Sequence, residues 1–156
     1  MVFPLLVDFI QGKYLTITST ILIIIQNNLI TLNSKKRILI VDDERDICLA
    51  LKIVLEQSDF IVDYYYNPIL ALNEFKSNFY DLLVFDIKMS PMNGFELYTE
   101  IKKRDTKPKI CFITAGEILD DIKSKIPYDY NIIKKPIENE ELILTINNLL
   151  NEYNEN

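Results

Sequence analysis

Histidine and tryptophan are absent from this 156-residue chain, and glycine is down to three residues. Without histidine there is no His-based metal centre, no Ser-His-Asp triad and no imidazole base. Three glycines cannot furnish the Gly-rich loops that wrap nucleotide phosphates. Two cysteines, Cys48 and Cys111, make neither a disulfide framework nor a zinc site and fit a reducing interior. Basic charge is in deficit too: 17 Lys and Arg face 23 Asp and Glu, a net −6 with a pI near 4.7. That balance argues against a nucleic-acid-binding surface, which draws its affinity from clustered cations. Any chemistry must therefore rest on carboxylates, lysine, threonine and a bound cation. The length suits one domain of ordinary size with a real core.

Charge is missing altogether from Tyr14 to Ser34, a stretch that contains Ile21-Leu22-Ile23-Ile24-Ile25. Residues 1–34 hold one acid, Asp8, and one base, Lys13, so the net −6 belongs to the rest of the chain. This predicts an apolar N-terminal extension over 1–34, a folded domain over 35–153 and a tail over 154–156. Three readings fit the extension. It is a poorly ordered or spurious start, a membrane or partner anchor, or an extra packed element. A span needs about 20 predominantly apolar residues, and here Gln26, Asn27 and Asn28 fall near the centre, where burial in hydrocarbon is costly. A secretory signal fits poorly, since no basic start or small-residue cleavage site is present. If residues 14–34 do anchor, Lys35-Lys36-Arg37 would keep the following domain on the cytoplasmic side.

From Lys35 the pattern becomes regular. Arg37–Val41 is a short apolar run that ends abruptly at Asp42-Asp43, as a buried parallel strand does. Ile47, Ala50, Leu51, Val54 and Leu55 follow with helical spacing. Phe60–Tyr65 predicts a second strand, and Asn67-Pro68 an N-cap and first helical residue opening a helix to about Lys76. Asp81–Asp86 is a third strand, Ser90–Gly94 a loop and Phe95–Arg104 a helix. Lys109–Thr114 is a fourth strand, Glu117–Ile126 a weaker helix and Asn131–Lys134 a fifth strand. A last helix runs from Asn139 to about Tyr153, with Leu142, Ile143, Ile146, Leu149 and Leu150 inward. Five strands alternating with five helices, joined by right-handed crossovers, predict a doubly wound α/β domain with helices on both faces of a parallel sheet. Ligands of such folds bind beyond the carboxyl ends of the strands.

Those strand ends carry Asp42 and Asp43, Asp86, Thr114 and Lys135. Taken singly, each has a plain role as a turn, strand or solvent-facing residue. Together, three carboxylates on one edge repel unless a cation neutralises them. Hard oxygen ligands suit Mg²⁺ (or Mn²⁺), which keeps waters and accepts a phosphoryl oxygen. Lysine and a hydroxyl beside it can hold the remaining oxygens of a transferred phosphoryl group, and a carboxylate can serve as the nucleophile.

This constellation resembles the receiver domain of two-component response regulators, of the chemotaxis-regulator type. The likeness runs from about Lys36 to Leu150 through Ile40-Val41-Asp42-Asp43-Glu44, Val84-Phe85-Asp86-Ile87-Lys88-Met89, Met92-Asn93-Gly94, Phe112-Ile113-Thr114-Ala115 and Lys134-Lys135-Pro136. It implies a flavodoxin-like five-stranded parallel sheet in the order 2-1-3-4-5. It implies Asp86 as phosphoacceptor, and Asp43, Asp86 and the Lys88 backbone carbonyl as Mg²⁺ ligands, with Asp42 acting through water. Thr114, Ala115 and Lys135 would contact the phosphoryl group, and the family's cis peptide would fall at Lys135-Pro136. Its partners would be a sensor histidine kinase or phosphotransfer protein and a downstream protein target, met in the cytoplasm, with no direct nucleic-acid binding. Such a protein is not an enzyme beyond its own phosphorylation and dephosphorylation.

Two positions depart from the family pattern. The proline expected four residues after the acceptor is Ser90, and Pro91 follows it. The switch aromatic that works with Thr114 is replaced by Ile132, with Tyr130 two residues earlier as a substitute on the same strand face. A phosphorylation-independent docking module is the alternative these departures leave open. A haloacid-dehalogenase-like phosphatase is a remoter one, because the second acid it needs is Lys88. The chain leaves room for only a few residues after the last helix, so the expectation is a stand-alone receiver acting by protein contact.

Overall fold

A computed structural model of the chain describes residues 21–27, 35–116 and 130–151. The chain divides into two units, Met1–Lys35 and Lys36–Asn156. In the first, residues 21–27 are helical and Ile21 to Ile25 are all exposed. Among the described residues no helix is long and apolar enough to cross a membrane. The helix expected over 117–126 and the tail 154–156 lie outside the described residues.

In the second unit, β1 (Arg37–Val41), β2 (Ile61–Tyr65), β3 (Leu82–Asp86), β4 (Lys109–Thr114) and β5 (Asn131–Lys134) form one parallel sheet. Its order is β2-β1-β3-β4-β5, the order that the family resemblance implies. The register sets Ile38 beside Leu82, Leu83 beside Ile110 and Phe112 beside Ile132. The described helices are α1 (Arg45–Gln57), α2 (Pro68–Glu74), α3 (Gly94–Lys102) and α4 (Asn139–Asn151).

Alternation along the strands builds two cores. Ile38, Ile40, Leu82, Val84, Cys111 and Ile113 face α1 and α4, where Leu51, Leu55, Leu142 and Ile146 meet them. Leu39, Val41, Leu83, Phe85 and Phe112 face the other way, onto Ala71 of α2 and Leu97 and Ile101 of α3. A central strand is thus buried on both faces, which is why β1 and β3 read as unbroken apolar runs rather than alternating ones. The sheet's position is set by hydrophobic burial, worth about 1.5–3 kcal/mol for each Leu, Ile or Val side chain removed from water.

Some boundaries and faces differ from the sequence expectation. The α1 stripe is centred on Cys48, Leu51 and Leu55, while Ala50 is exposed. The Cys48 thiol turns inward to the Asp42 carbonyl oxygen at 3.3 Å, which rotates the buried face by one residue. Helix α2 stops at Glu74 rather than Lys76, because Phe75 turns extended and places its ring 5.7 Å from that of Tyr80. Helix α3 closes at Lys102, and the Arg104 and Asp105 amides cap it by donating to the Ile101 carbonyl at 2.8 and 2.9 Å. On α4, Leu142, Ile146 and Leu149 are buried, with Ile143 and Leu150 at the margin.

The start of α2 follows local chemistry alone. Asn67 is extended, and its side-chain oxygen accepts from the amides of Ile69 and Leu70 at 2.8 and 3.2 Å; Pro68 fills the first helical position. Replacing Asn67 with Ala leaves those two amides uncapped, and the expected loss is about 1 kcal/mol in urea unfolding with an unchanged slope.

Candidate functional site

Parallel strands all end on one edge, so residues far apart in sequence meet there. Asp42 follows β1 and is buried, Asp86 ends β3 and is buried, and Asp43 is exposed beside them. Carboxylate oxygens of the three lie within 4.8 Å of one another. Thr114 ends β4, also buried, and the Lys135 amide donates to its carbonyl at 2.7 Å, fixing the turn after β5.

Lys135 is the hub. Its ammonium lies 2.8 Å from Asp42 Oδ2, 2.8 Å from Glu44 Oε1 and 3.2 Å from Asp86 Oδ1. The side chain is only 10 % exposed, so these ion pairs are shielded far better than those on the surface. Burial by itself lowers the ammonium's pKa, but the contacts with Asp42 and Glu44 and the charge of Asp86 hold it above the usual lysine range. The two buried acids move the other way. Desolvation raises the pKa of Asp42, offset in part by Lys135 and by the Glu44 amide donating to Oδ1 at 2.9 Å. Desolvation likewise raises Asp86, against the opposing pull of Lys135 and with a further push from the Asp42 charge.

One lysine does not satisfy this cluster. Asp42 Oδ2 is buried, with the Lys135 ammonium 2.8 Å away and shared with Glu44 and Asp86. Three carboxylates within 4.8 Å of one another, two of them buried, and an all-oxygen donor set fit a hard divalent cation such as Mg²⁺. Asp43, exposed, gives access from solvent.

The other residues singled out by sequence fall around this centre. Ala115 is exposed just past Thr114, and the Thr114 hydroxyl lies 3.4 Å from the Gly116 amide and carbonyl. Lys88 is exposed, its amide bonds to the Asp86 carboxylate, and its ammonium approaches Gly116 closely enough that a Cβ there would lie 3.2 Å from Nζ. Lys135-Pro136 is cis, and so is Ser90-Pro91. Ile132 and Tyr130 are not at the carboxylate edge: both pack on the α3 side of the sheet, where the Tyr130 ring meets Phe112 at 5.6 Å and Tyr98 at 5.5 Å. Cys48, although beside Asp42, has its thiol pushed up to about 12 by burial, so it packs rather than reacts.

Two contributors were not assigned roles from sequence. Glu44 anchors Lys135 from the solvent side; its place in the run Asp42-Asp43-Glu44 was the available signal. Gly94 opens α3 directly against Asp86: a Cβ there would lie 2.3 Å from the Asp86 carbonyl oxygen. Asn93 and Glu96 form a capping box that fixes this approach, and the Gly94 amide donates to the Ile87 carbonyl at 3.2 Å. Gly94→Ala must push α3 away from Asp86. The expected result is a loss of about 1–3 kcal/mol in urea unfolding.

Comparison with known proteins agrees with this arrangement. The family model of the response regulator receiver domain matches residues 38–147. The chain is 34 % identical over 117 residues to the response regulator ArlR of Staphylococcus saprophyticus, covering 73 % of this chain and 52 % of that protein. It is 32 % identical over 124 residues to the transcriptional regulatory protein RprY of Bacteroides fragilis, covering 78 % and 52 %. The chain thus spans about half the length of the curated relatives it matches. Among solved structures, the response regulator protein TrrA of Thermotoga maritima, in complex with Mg²⁺-BeF, superposes with a TM-score of 0.64 at 34 % identity, covering 74 % of this chain and 99 % of that one. A CheY-like receiver domain protein from Methanospirillum hungatei gives 0.66 at 29 % identity, covering 76 % and 96 %. With the 2-1-3-4-5 sheet, the carboxylate edge and a family match over more than half its length, the chain belongs to the response regulator receiver domain family of two-component systems.

Proposed function

We propose that this receiver accepts a phosphoryl group on Asp86 from the phosphohistidine of a sensor kinase or phosphotransfer protein, in the presence of Mg²⁺. The observation that carries the reading is the meeting of Asp42, Asp43 and Asp86 within 4.8 Å, with Lys135 reaching both buried acids. The relative crystallised with Mg²⁺ and a beryllofluoride supports it at 34 % identity.

An Asp86 carboxylate oxygen attacks phosphorus as the phosphorus–nitrogen bond to the donor imidazole breaks, and the freed imidazole takes a proton from solvent. Asp43, Asp86 and the Lys88 carbonyl are the ligands proposed for Mg²⁺, with Asp42 acting through water; when bound there, the ion would offset the charge of the incoming phosphoryl oxygens. Lys135 shifts from its carboxylate partners to a phosphoryl oxygen, while the Thr114 hydroxyl and Ala115 amide take the others. Such positioning and neutralisation is most of what phosphoryl transfer asks of a protein. The added charge then biases the β4–β5 face, where Tyr130, set edge-to-face against Phe112 and Tyr98, stands in for the aromatic that Ile132 lacks. A downstream protein reads that face.

The test uses acetyl phosphate as a small donor. With Mg²⁺, intact mass should increase by one phosphoryl group, and chelation with EDTA should abolish the gain. No gain, or an equal gain in EDTA, overturns the proposal.

A further inference from the structure

Glu44 stands apart from the other acids around Lys135. Its carboxylate lies 2.8 Å from the ammonium, as close as Asp42 and closer than Asp86. Yet it is outside the group of Asp42, Asp43 and Asp86 whose oxygens converge within 4.8 Å. Exposure divides them as well: the Glu44 side chain is 61 % exposed, against 1 % for Asp42 and 4 % for Asp86. A buried carboxylate that loses its counterion keeps the full cost of desolvation, whereas one at the surface is taken up by water. Of the three acids on Lys135, Glu44 is the one that can let go at little cost.

Local structure marks the same residue. Glu44 is the N-cap of α1, a position whose side chain ordinarily accepts from the first-turn amides, and here it makes no such bond. Its backbone is pinned instead: the Glu44 carbonyl accepts the Cys48 amide at 3.1 Å, and its own amide donates to Asp42 Oδ1 at 2.9 Å. The side chain crosses from this fixed base to the turn after β5, reaching a residue 91 positions away. An ammonium directs three donors, and three carboxylates already surround this one, so a phosphoryl oxygen reaches Lys135 by displacing one of them. We propose that Glu44 is a displaceable anion on Lys135, a positioning residue that holds the ammonium before transfer and competes for it with the incoming phosphoryl group. The proposal rests on the reading of Asp86 as phosphoacceptor. Asp42 and Asp86 stay in place as the buried floor of the site, and Glu44 swings into water.

The test titrates beryllofluoride, a phosphoryl mimic, with Mg²⁺ into the full chain and follows the bound species by fluorine NMR. Glu44→Gln removes the competing charge at nearly constant shape, and its apparent affinity should exceed that of the parent chain by about three- to fivefold. Glu44→Ala should shift affinity in the same direction. The advantage should fade in about 1 M salt, where charges this exposed are screened, a response that a merely structural role would not give. In metal-free protein, side-chain NMR of ¹⁵N-labelled lysine should show the Lys135 ammonium signal move on Glu44→Gln, because the contact exists before any ligand binds. Equal or weaker binding by Glu44→Gln, a difference that salt leaves untouched, or an unmoved Lys135 signal overturns this inference and leaves the receiver reading standing. If the parent chain neither binds beryllofluoride nor gains a phosphoryl group, that reading falls and takes the inference with it.

Discussion

Asp86→Asn is expected to abolish the mass gain from acetyl phosphate, a fall on the order of 10³-fold or more, because the amide removes the nucleophile itself. The same substitution should make the folded protein more stable at neutral pH. The sign follows from the site. Asp86 is buried, and desolvation together with the Asp42 charge outweighs Lys135, so its folded-state pKa lies above the ordinary value of 3.8. Below 3.8 the carboxyl is protonated in both folded and unfolded chains and no penalty exists. As pH rises through the folded-state value, ionisation becomes easier in the unfolded chain, and stability is lost. The neutral amide escapes that loss, while Lys135 keeps Asp42 and Glu44. Urea midpoints at pH 7 should therefore be higher for Asp86→Asn than for the parent chain, with the difference shrinking toward pH 4. A variant that is still phosphorylated would place the acceptor elsewhere; one less stable at pH 7 would mean that Lys135 dominates the acidic edge.

Phe112→Ala carries the largest expected cost in stability, about 3–5 kcal/mol. The ring is fully buried on β4 and sits among Phe95 at 4.3 Å, Tyr130 at 5.6 Å and Tyr98 at 6.0 Å. Its loss leaves a cavity whose walls are other aromatic rings, anchored on α3 and before β5, which cannot all collapse inward together. Tyr130→Ala should cost less, since that ring is only partly buried at the rim of the same cluster. Urea unfolding of the two variants, compared at one pH, measures this; equal losses would mean that the cluster is not organised around Phe112. Phe112 also lies two residues before Thr114, so the same variant should alter how the β4–β5 face responds to phosphorylation of Asp86.

Much of this molecule is legible in its residues. Unbroken apolar runs ending in Asp42, Asp86 and Thr114 specify strands buried on both faces. The Asn67-Pro68 pair specifies a helix start from nearest-neighbour hydrogen bonding. Strand ends that bear acids, a hydroxyl and a lysine specify which edge of the sheet holds the chemistry, because parallel strands all point one way. Each of these depends on a contiguous stretch or on a chirality rule that holds in any chain.

What only the tertiary structure decided depends on distances between segments far apart in sequence. Ninety-one positions separate Glu44 from Lys135, yet Glu44 grips its ammonium and shares it with the two buried aspartates. No local pattern reports that. Gly94 lies against the Asp86 carbonyl, closer than any side chain permits, which appears only when α3 is docked on β3. Cys48 displaces Ala50 from the buried stripe because a carbonyl of the neighbouring loop accepts its thiol. Sequence fixes the period and direction of each element through local sterics and hydrophobic burial. Packing alone fixes which charges meet, because Coulomb energy depends on separations that exist only once the sheet has closed on its helices.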